Sequence, residues 1–507
     1  MFASVSSFTL SGIDAVPVET EVHLATNGLP RMFMVGLPDV AVKEARRRVE
    51  AAISNSQYPN HLHPMIVNLA PAHLRKEGSL LDLAIALAIL AAGGWLNRKG
   101  LREHAVAGEL ALDGGVRPVR GGLAMAQKAQ QMGKLGIILP GANAAEAALC
   151  PDIEVVGVSC LREAVDYLEG RIEAPALPAG ITGEAQEATA CMSEVKGQGH
   201  AKRALEVAAA GGHNFLMLGP PGSGKTMLAR RLCGILPPLT PSEALDVTRI
   251  MSVAGTLNGG GALISERPFR MPHHSISQAG MTGGGTPLPR PGEMTLAHQG
   301  VLFLDELPEF RRDALESLRQ PLENGWVNIS RAMTPVRFPC ATMLVAAMNP
   351  CPCGYWGDRA RACTCSPGRL HGYREKITGP LIDRFDIMVE VPRLQVSEMN
   401  PEKVAEPSSA IQARVMEARE RQAKRLDGRC NARMRPAEAA SFCKLDRSMS
   451  DFLAKAMDAM HLTARGYERC LRIARTIADL DGRDEVRLAD LAEAVQYRVP
   501  IGAFTEL

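Results

Sequence analysis

A multi-domain α/β chain is predicted by three observations. Apolar runs of strand length end in glycine-rich or acidic turns, helix-like stretches lie between them, and a Pro/Ala/Gly segment divides the sequence. With 507 residues there is room for about three domains, each with its own core. The 57 basic and 55 acidic residues nearly cancel, so the chain has no polybasic footprint and any contact with nucleic acid must be local.

Residues 1–170 read as an α+β domain. Val16–Leu24, Met65–Leu69, Gly136–Leu139 and Glu154–Val158 have strand character, and Val40–Asn55 and Gly122–Met132 have helical spacing. The most apolar window, Leu80–Leu96, is shorter than the roughly 20 residues that cross a bilayer and contains Asp82, so it is expected to be a buried helix. Gly93, Gly94 and the following Asn97-Arg98-Lys99 fit its C-terminal end, where cations suit the helix dipole. Met1-Phe2-Ala3-Ser4-Val5 lacks the basic and apolar regions of a signal peptide; a cytoplasmic chain away from membranes, with its twelve cysteines mostly reduced, is the expectation.

Ala174-Pro175-Ala176-Leu177-Pro178-Ala179-Gly180 cannot continue a helix and marks a linker over 171–190. An α/β core is expected over 191–395 and a helical lid over 396–507, with helices at Ala410–Lys424 and Tyr467–Asp481. No internal repeat is visible.

Within the core, Gly219-Pro220-Pro221-Gly222-Ser223-Gly224-Lys225-Thr226 fits a phosphate-binding loop at every position, between the apolar strand Asn214–Leu218 and a helix over Met227–Leu236. Its backbone amides would face the phosphates of ATP, Lys225 would reach the β and γ oxygens, and Thr226 would hold Mg²⁺. Gly300–Leu304 is an apolar strand ending in Asp305 and Glu306. Asp305 would complete the Mg²⁺ shell, and Glu306 would orient and polarise the attacking water. Thr342–Met348 ends in Asn349, a polar residue placed to sense the γ-phosphate. Arg384, in Asp383-Arg384-Phe385-Asp386, is an arginine-finger candidate that would act on a neighbouring subunit's nucleotide; an ion pair with Asp383 or Asp386 is the competing reading.

Two insertions interrupt the core. Gly255–Gly300, rich in glycine and proline and carrying Arg267, Arg270, His273, His274 and Arg290, reads as an ordered but irregular pore loop. Trp326–Phe338 alternates around a turn and reads as a hairpin. Cys351, Cys353, Cys363 and Cys365 form two close pairs able to enclose a structural Zn²⁺, although one residue between ligands is tighter than usual; free or redox-active thiols are the alternative. The basic stretch Arg414–Arg435, interleaved with Glu417 and Glu420, reads as a solvated helix with i, i+4 pairs.

The order of loop, Asp-Glu strand, asparagine and Asp-Arg-Phe-Asp box resembles the AAA+ ATPases of the magnesium-chelatase and MCM-helicase branch. Arg267–His274, Pro289–Glu293, Leu304–Phe310 and Asn349–Gly354 resemble the YifB/ComM family of magnesium-chelatase-like proteins over nearly the whole chain. The resemblance implies an AAA+ P-loop ATPase core and helical lid, and a homo-oligomeric, hexameric ring acting on single-stranded or branched DNA as a helicase that promotes branch migration. It implies that Arg465, in Thr463-Ala464-Arg465-Gly466-Tyr467, is a second sensor touching the nucleotide of its own subunit. It also implies that the hairpin lines the ring's channel, where Arg331 and Arg337 would meet phosphates or, alternatively, carboxylates at a subunit boundary. A remodeller of protein partners, like the ATPase subunit of magnesium chelatase, is the competing class.

Residues 1–170 resemble the Lon-protease-like (S5-like) domain, notably at Gly36–Asp39, Asn68–Pro71 and Arg75–Ser79. The position of the family's nucleophilic serine holds Leu80. Where a lysine base would be needed, Arg117 and Arg120 stand, and arginine stays protonated, so a non-proteolytic binding or assembly module is expected.

Overall fold

The computed structural model describes residues 1–25, 31–36, 40–59, 64–74, 76, 78–175, 190–257, 263–285, 289–329, 335–358, 361–377, 379–394 and 406–498. Most of the 171–190 linker, the 395/396 boundary and Arg331 lie outside the described residues.

The first sheet is built from Phe2–Ser11 (β1), Asp14–Leu24 (β2), Met32–Val35 (β3), Met65–Ala70 (β4), His104–Val106 (β5), Gly136–Pro140 (β6) and Glu154–Val158 (β7), in the order β3-β4-β2-β1-β5-β6-β7. Strand β1 went unread in the sequence because it is central. Ser6, Ser7 and Thr9 are buried along with Val5 and Phe8, which erases the apolar/polar alternation of a half-buried strand. Helix Asp82–Ala92 is buried at every residue. The expected cationic end of that helix is corrected: Asn97 N-caps a separate helix, Arg98–Glu103, by accepting from the Lys99 amide. Arg98 and Lys99 therefore begin the next element.

The second sheet is parallel and contains Phe215–Leu218 (β8), Phe269–Arg270 (β9), Val301–Leu304 (β10), Met343–Met348 (β11) and Ile387–Glu390 (β12), in the order β9-β10-β11-β8-β12. Strands β8, β10 and β11 are apolar and buried throughout, and β12 is so up to its exposed last residue, Glu390, as a parallel sheet covered on both faces requires. The first insertion supplies β9, and two of its arginines are tied down. Arg267 donates to Pro237 and Gln299 carbonyls, and Arg270 makes a two-pronged pair with Glu293.

Helices Ser408–Arg425, Pro436–Phe442, Arg447–Met460, Ala464–Leu480 and Leu488–Gln496 form the C-terminal unit. It shares a core with the second sheet through helix Gly199–Gly211: Val415 and Ile473 join Val207 and Ala208, and Gln422 donates to the Ala210 carbonyl at 3.0 Å. The basic stretch begins in a helix with an exposed face, Ser408–Arg425, and its expected i, i+4 pairing is corrected here. Three of its arginines pair beyond their own helical turn: Arg414 with Glu206, Arg425 with Asp479, and Arg429 with Glu438.

The front sheet docks on the core at the β1–β2 turn. Ile13 is buried among Val336 and Phe338 of the hairpin formed by Trp326–Ile329 and Val336–Pro339, and Arg249 reaches Asp14 at 3.4 Å. Helix Gly122–Gln131 packs on Pro241–Ala254, where the Gly121 amide donates to the Ser252 carbonyl.

Candidate nucleotide site

Strands β8, β10 and β11 are parallel neighbours, so the residues at their C-terminal ends meet at one edge of the sheet. Gly219–Thr226 leaves β8 there. Gly224 takes φ +91°, a left-handed conformation that aims the first amides of helix Lys225–Arg231 back across the loop, which is why a residue without Cβ stands at this N-cap. The Lys225 ammonium is buried and donates to the Gly219 carbonyl at 2.7 Å, the Pro220 carbonyl at 2.9 Å and Asn349 Oδ1 at 3.1 Å. Burial lowers its pKa, with Asp305 and Glu306 opposing. Thr226 Oγ1 donates to Asp305 Oδ2 at 2.7 Å, which sets a hydroxyl and a carboxylate side by side as a divalent cation between phosphates would use them. These two oxygens fit Mg²⁺ by donor type, and the phosphate-facing loop fits a triphosphate.

Glu306 follows Asp305 in a left-handed conformation, φ +52°, that turns its exposed carboxylate away from the strand. His274 Nδ1 lies 4.0 Å from Glu306 Oε2, while the His274 ring packs against His273 at 4.0 Å and edge-on to Phe310. The sequence showed His274 only as one of several polar residues in an irregular insertion, and nothing local tied it to the acid. Gln198 was also missed. It precedes helix Gly199–Gly211 and donates to Pro392 and Ser223 carbonyls at 2.7 and 3.4 Å, joining the phosphate loop to the chain after β12.

The opposite edge of the same sheet is lined with arginine. Arg384, Arg433, Arg465, Arg469 and Arg472 surround a cavity of ≈ 330 Å³ with Glu323. Arg384 pairs with Glu323 at 2.7 Å, so neither Asp383 nor Asp386 is its partner; Asp386 instead meets Arg469 at 3.1 Å. Burial works against the Asp386 charge, yet His213, Arg469 and the Asn214 amide keep its pKa below the ordinary value. Arg465 stands in this cavity as well, at the sheet edge away from its own chain's phosphate loop. Helix Ala464–Leu480 is anchored by Thr476 to His213, ahead of β8, whereas the phosphate loop follows β8. One strand length, about 13 Å, separates the two edges.

The hairpin has an inner face, Val327, Val336 and Phe338, and an outer face on which Arg337 is exposed with its guanidinium 4.9 Å from the Trp326 ring. The four cysteine sulfurs converge: Cys351 to Cys353 is 3.3 Å, Cys351 to Cys363 is 3.7 Å and Cys353 to Cys363 is 3.5 Å, and all four Sγ atoms lie within 4.8 Å of one another. A tetrahedron of thiolates around Zn²⁺ has edges of about 3.8 Å, so the donor set fits. Amides of Trp356 and Cys365 donate to Cys351 and Cys363 sulfurs. In the front domain Ser79 donates to the Glu109 carboxylate, and buried Lys76 donates to the Gly36 and Pro71 carbonyls, so serine and lysine have separate partners. No helix among the described residues is long and apolar enough to cross a membrane.

A parallel sheet in this strand order, with a phosphate loop after β8, an asparagine after the central strand β11 beside it and an Asp-Glu pair after β10 on the far side of β11, defines a P-loop nucleotide-binding core of the AAA+ class. Family models agree along the chain: "Magnesium chelatase, subunit ChlI" matches residues 191–399, "Subunit ChlI of Mg-chelatase" matches 20–143, and "Magnesium chelatase, subunit ChlI C-terminal" matches 405–498. Competence protein ComM of Haemophilus influenzae is 43% identical over 513 residues, covering 100% of this chain and 99% of that protein. YifB of Salmonella typhimurium is 42% identical over 490 residues, covering 96% and 95%. The chain belongs to the YifB/ComM family of magnesium-chelatase-like proteins. A shorter likeness, 30% identity over 148 residues, relates 27% of this chain to 26% of Lon protease 2 of Bacillus subtilis.

Proposed function

We propose that this chain is an ATP hydrolase that works as a hexameric ring, a helicase that moves along single-stranded or branched DNA in the cytoplasm and promotes branch migration during natural transformation and recombination. The observation that carries the reading is the separation of the two halves of the chemistry. Lys225, Thr226, Asp305, Glu306 and Asn349 gather at one edge of the parallel sheet, and Arg384 and Arg465 gather at the other. A triphosphate held by one chain needs its arginines from a neighbour, and a ring closes that requirement for every subunit. In this reading residues 1–170 are a non-proteolytic module, 191–395 the motor and 396–507 the lid. The exposed Arg337 beside Trp326 supports a phosphate contact on the hairpin, and Arg331 is proposed as its companion. The name of the ComM relative supports the role in competence.

When bound, ATP supplies the transferable phosphoryl group and Mg²⁺ neutralises its charge. Thr226 and Asp305 would hold the ion, Glu306 would orient and deprotonate water, Asn349 would monitor the γ-phosphate, and Lys225 would exchange its three internal oxygens for phosphate oxygens. The four cysteines would hold a structural Zn²⁺ with no open coordination position.

The match to magnesium-chelatase models over all three parts of the chain favours a second reading, a remodeller of protein partners. ATPase rate measured with and without single-stranded and forked DNA, at two salt concentrations, separates the two. DNA stimulation that weakens with salt is expected of the motor, and a rate indifferent to every oligonucleotide would reject it.

A further inference from the structure

The cysteine cluster lies against the nucleotide site. Cys351 comes two residues after Asn349, and the Gly354 amide closes the turn on the Cys351 carbonyl at 2.9 Å. Gly354 has φ +84°, and a Cβ at this position would come within 2.4 Å of Pro221 Cδ, so only glycine lets the cysteine turn lie directly on the phosphate loop. The ring of the next residue, Tyr355, has the guanidinium groups of Arg361 at 4.1 Å and Arg393 at 5.2 Å, and Arg393 follows Val391, whose amide donates to the Leu218 carbonyl just before the phosphate loop. Tyr373, on helix Pro367–Glu375, donates to the Asn349 carbonyl at 3.1 Å, and Arg374 lies over the Trp356 ring at 5.4 Å.

None of the described residues between 349 and 366 belongs to a helix or strand. A turn without a backbone ladder keeps its shape through side-chain or metal crosslinks, and this one touches both the phosphate loop and the γ-phosphate sensor. We propose that the metal held by Cys351, Cys353, Cys363 and Cys365 is a brace for the nucleotide site: it seats Gly354 against Pro221 and sets the position of Asn349 relative to Lys225, so that metal occupancy governs nucleotide affinity. The inference rests on the zinc reading given above. It adds that the crosslink is felt at the triphosphate and not only in the stability of a surface turn. Cys351 and the others are positioning residues in this scheme, acting through Gly354 and Asn349.

The full-length protein, purified without added zinc, is analysed for metal and titrated with a fluorescent ATP analogue alongside Cys363→Ser/Cys365→Ser and Gly354→Ala. The wild type is expected to carry about one zinc per chain. The double serine variant should lose zinc and bind the analogue about tenfold more weakly with its far-ultraviolet circular dichroism retained, and Gly354→Ala should keep zinc yet lose a similar factor. Affinity equal to wild type in a zinc-free double variant would overturn the brace while leaving the zinc site standing. Should the double variant fail to fold, Gly354→Ala decides: unchanged affinity with zinc retained overturns the inference, and weakened affinity supports it. A wild-type protein without zinc removes the zinc reading and the brace with it.

Discussion

Lys225 and Asn349, 124 residues apart in sequence, are joined by a hydrogen bond of 3.1 Å from the ammonium to the amide oxygen. The phosphate loop and the sensor strand are thus coupled through a single cation, which also caps two carbonyls of its own loop. In the proposed reading, a phosphate that took the lysine would release Asn349, and nucleotide arrival would reach β11 directly.

Lys225→Ala is expected to weaken ATP binding severely, whereas Glu306→Gln should bind ATP normally and stop turnover, trapping assembled rings. Equilibrium nucleotide binding and single-turnover hydrolysis measured on both variants check the division. Equal loss of binding in the two would contradict the roles assigned here.

Arg384→Ala should reduce hydrolysis by about 10³-fold with nucleotide binding retained, because its guanidinium would act on the partner's triphosphate and never on its own. Glu323, its 2.7 Å partner, holds that guanidinium when no neighbour is present. A steady-state ATPase assay suffices, and wild-type turnover in the Arg384 variant would remove it from the site.

His274→Ala is expected to change turnover and leave nucleotide affinity unchanged, since the ring lies 4.0 Å from the Glu306 carboxylate and bonds to none of the phosphate-loop residues. Comparing kcat with analogue affinity tests this, and a parallel fall in both would assign His274 to binding.

His298 makes stability depend on pH. It is buried, accepts the Ala341 amide at Nδ1 and has its pKa pushed down by desolvation to about 4. The unfolded chain takes up a proton near the ordinary histidine pKa of about 6.5 while the folded chain refuses it, so this stability is present above pH about 6.5 and is lost as pH falls towards 4, about 3 kcal/mol in all. Thermal unfolding between pH 7 and 4.5 should therefore be steeper in the wild type than in His298→Gln, and identical slopes would refute the assignment.

On the hairpin, Arg337→Ala should weaken single-stranded DNA binding about equally for all sequences and lower the salt slope by about one. Fluorescence anisotropy at several salt concentrations reads both quantities. An unaltered slope would return Arg337 to a purely structural role against Trp326.

Much of the nucleotide half-site was legible because its chemistry is written in contiguous residues at strand ends: Gly219–Thr226, Asp305-Glu306 and Asn349 each follow an apolar run. The strands β8, β10 and β11 fall within a residue of where their apolar runs predicted them. Strand β1 was hidden because burial on both sides removed its alternation. The competing reading of Arg384, a local ion pair with Asp383 or Asp386, did not foresee Glu323, a carboxylate distant in sequence that only the fold brings to its guanidinium.

From the sequence alone came the presence of a phosphate loop, an acidic strand and a cysteine quartet, since each depends on residue type at short spacing. Which of these stand together was decided only by strand order and helix docking. The parallel sheet puts Lys225, Asp305 and Asn349 at one edge, the packing of Thr476 on His213 carries Arg465 to the other, and a missing Cβ at Gly354 brings the cysteines onto the phosphate loop. These are long-range steric and packing outcomes, set by which surfaces bury one another, and no local pattern encodes them.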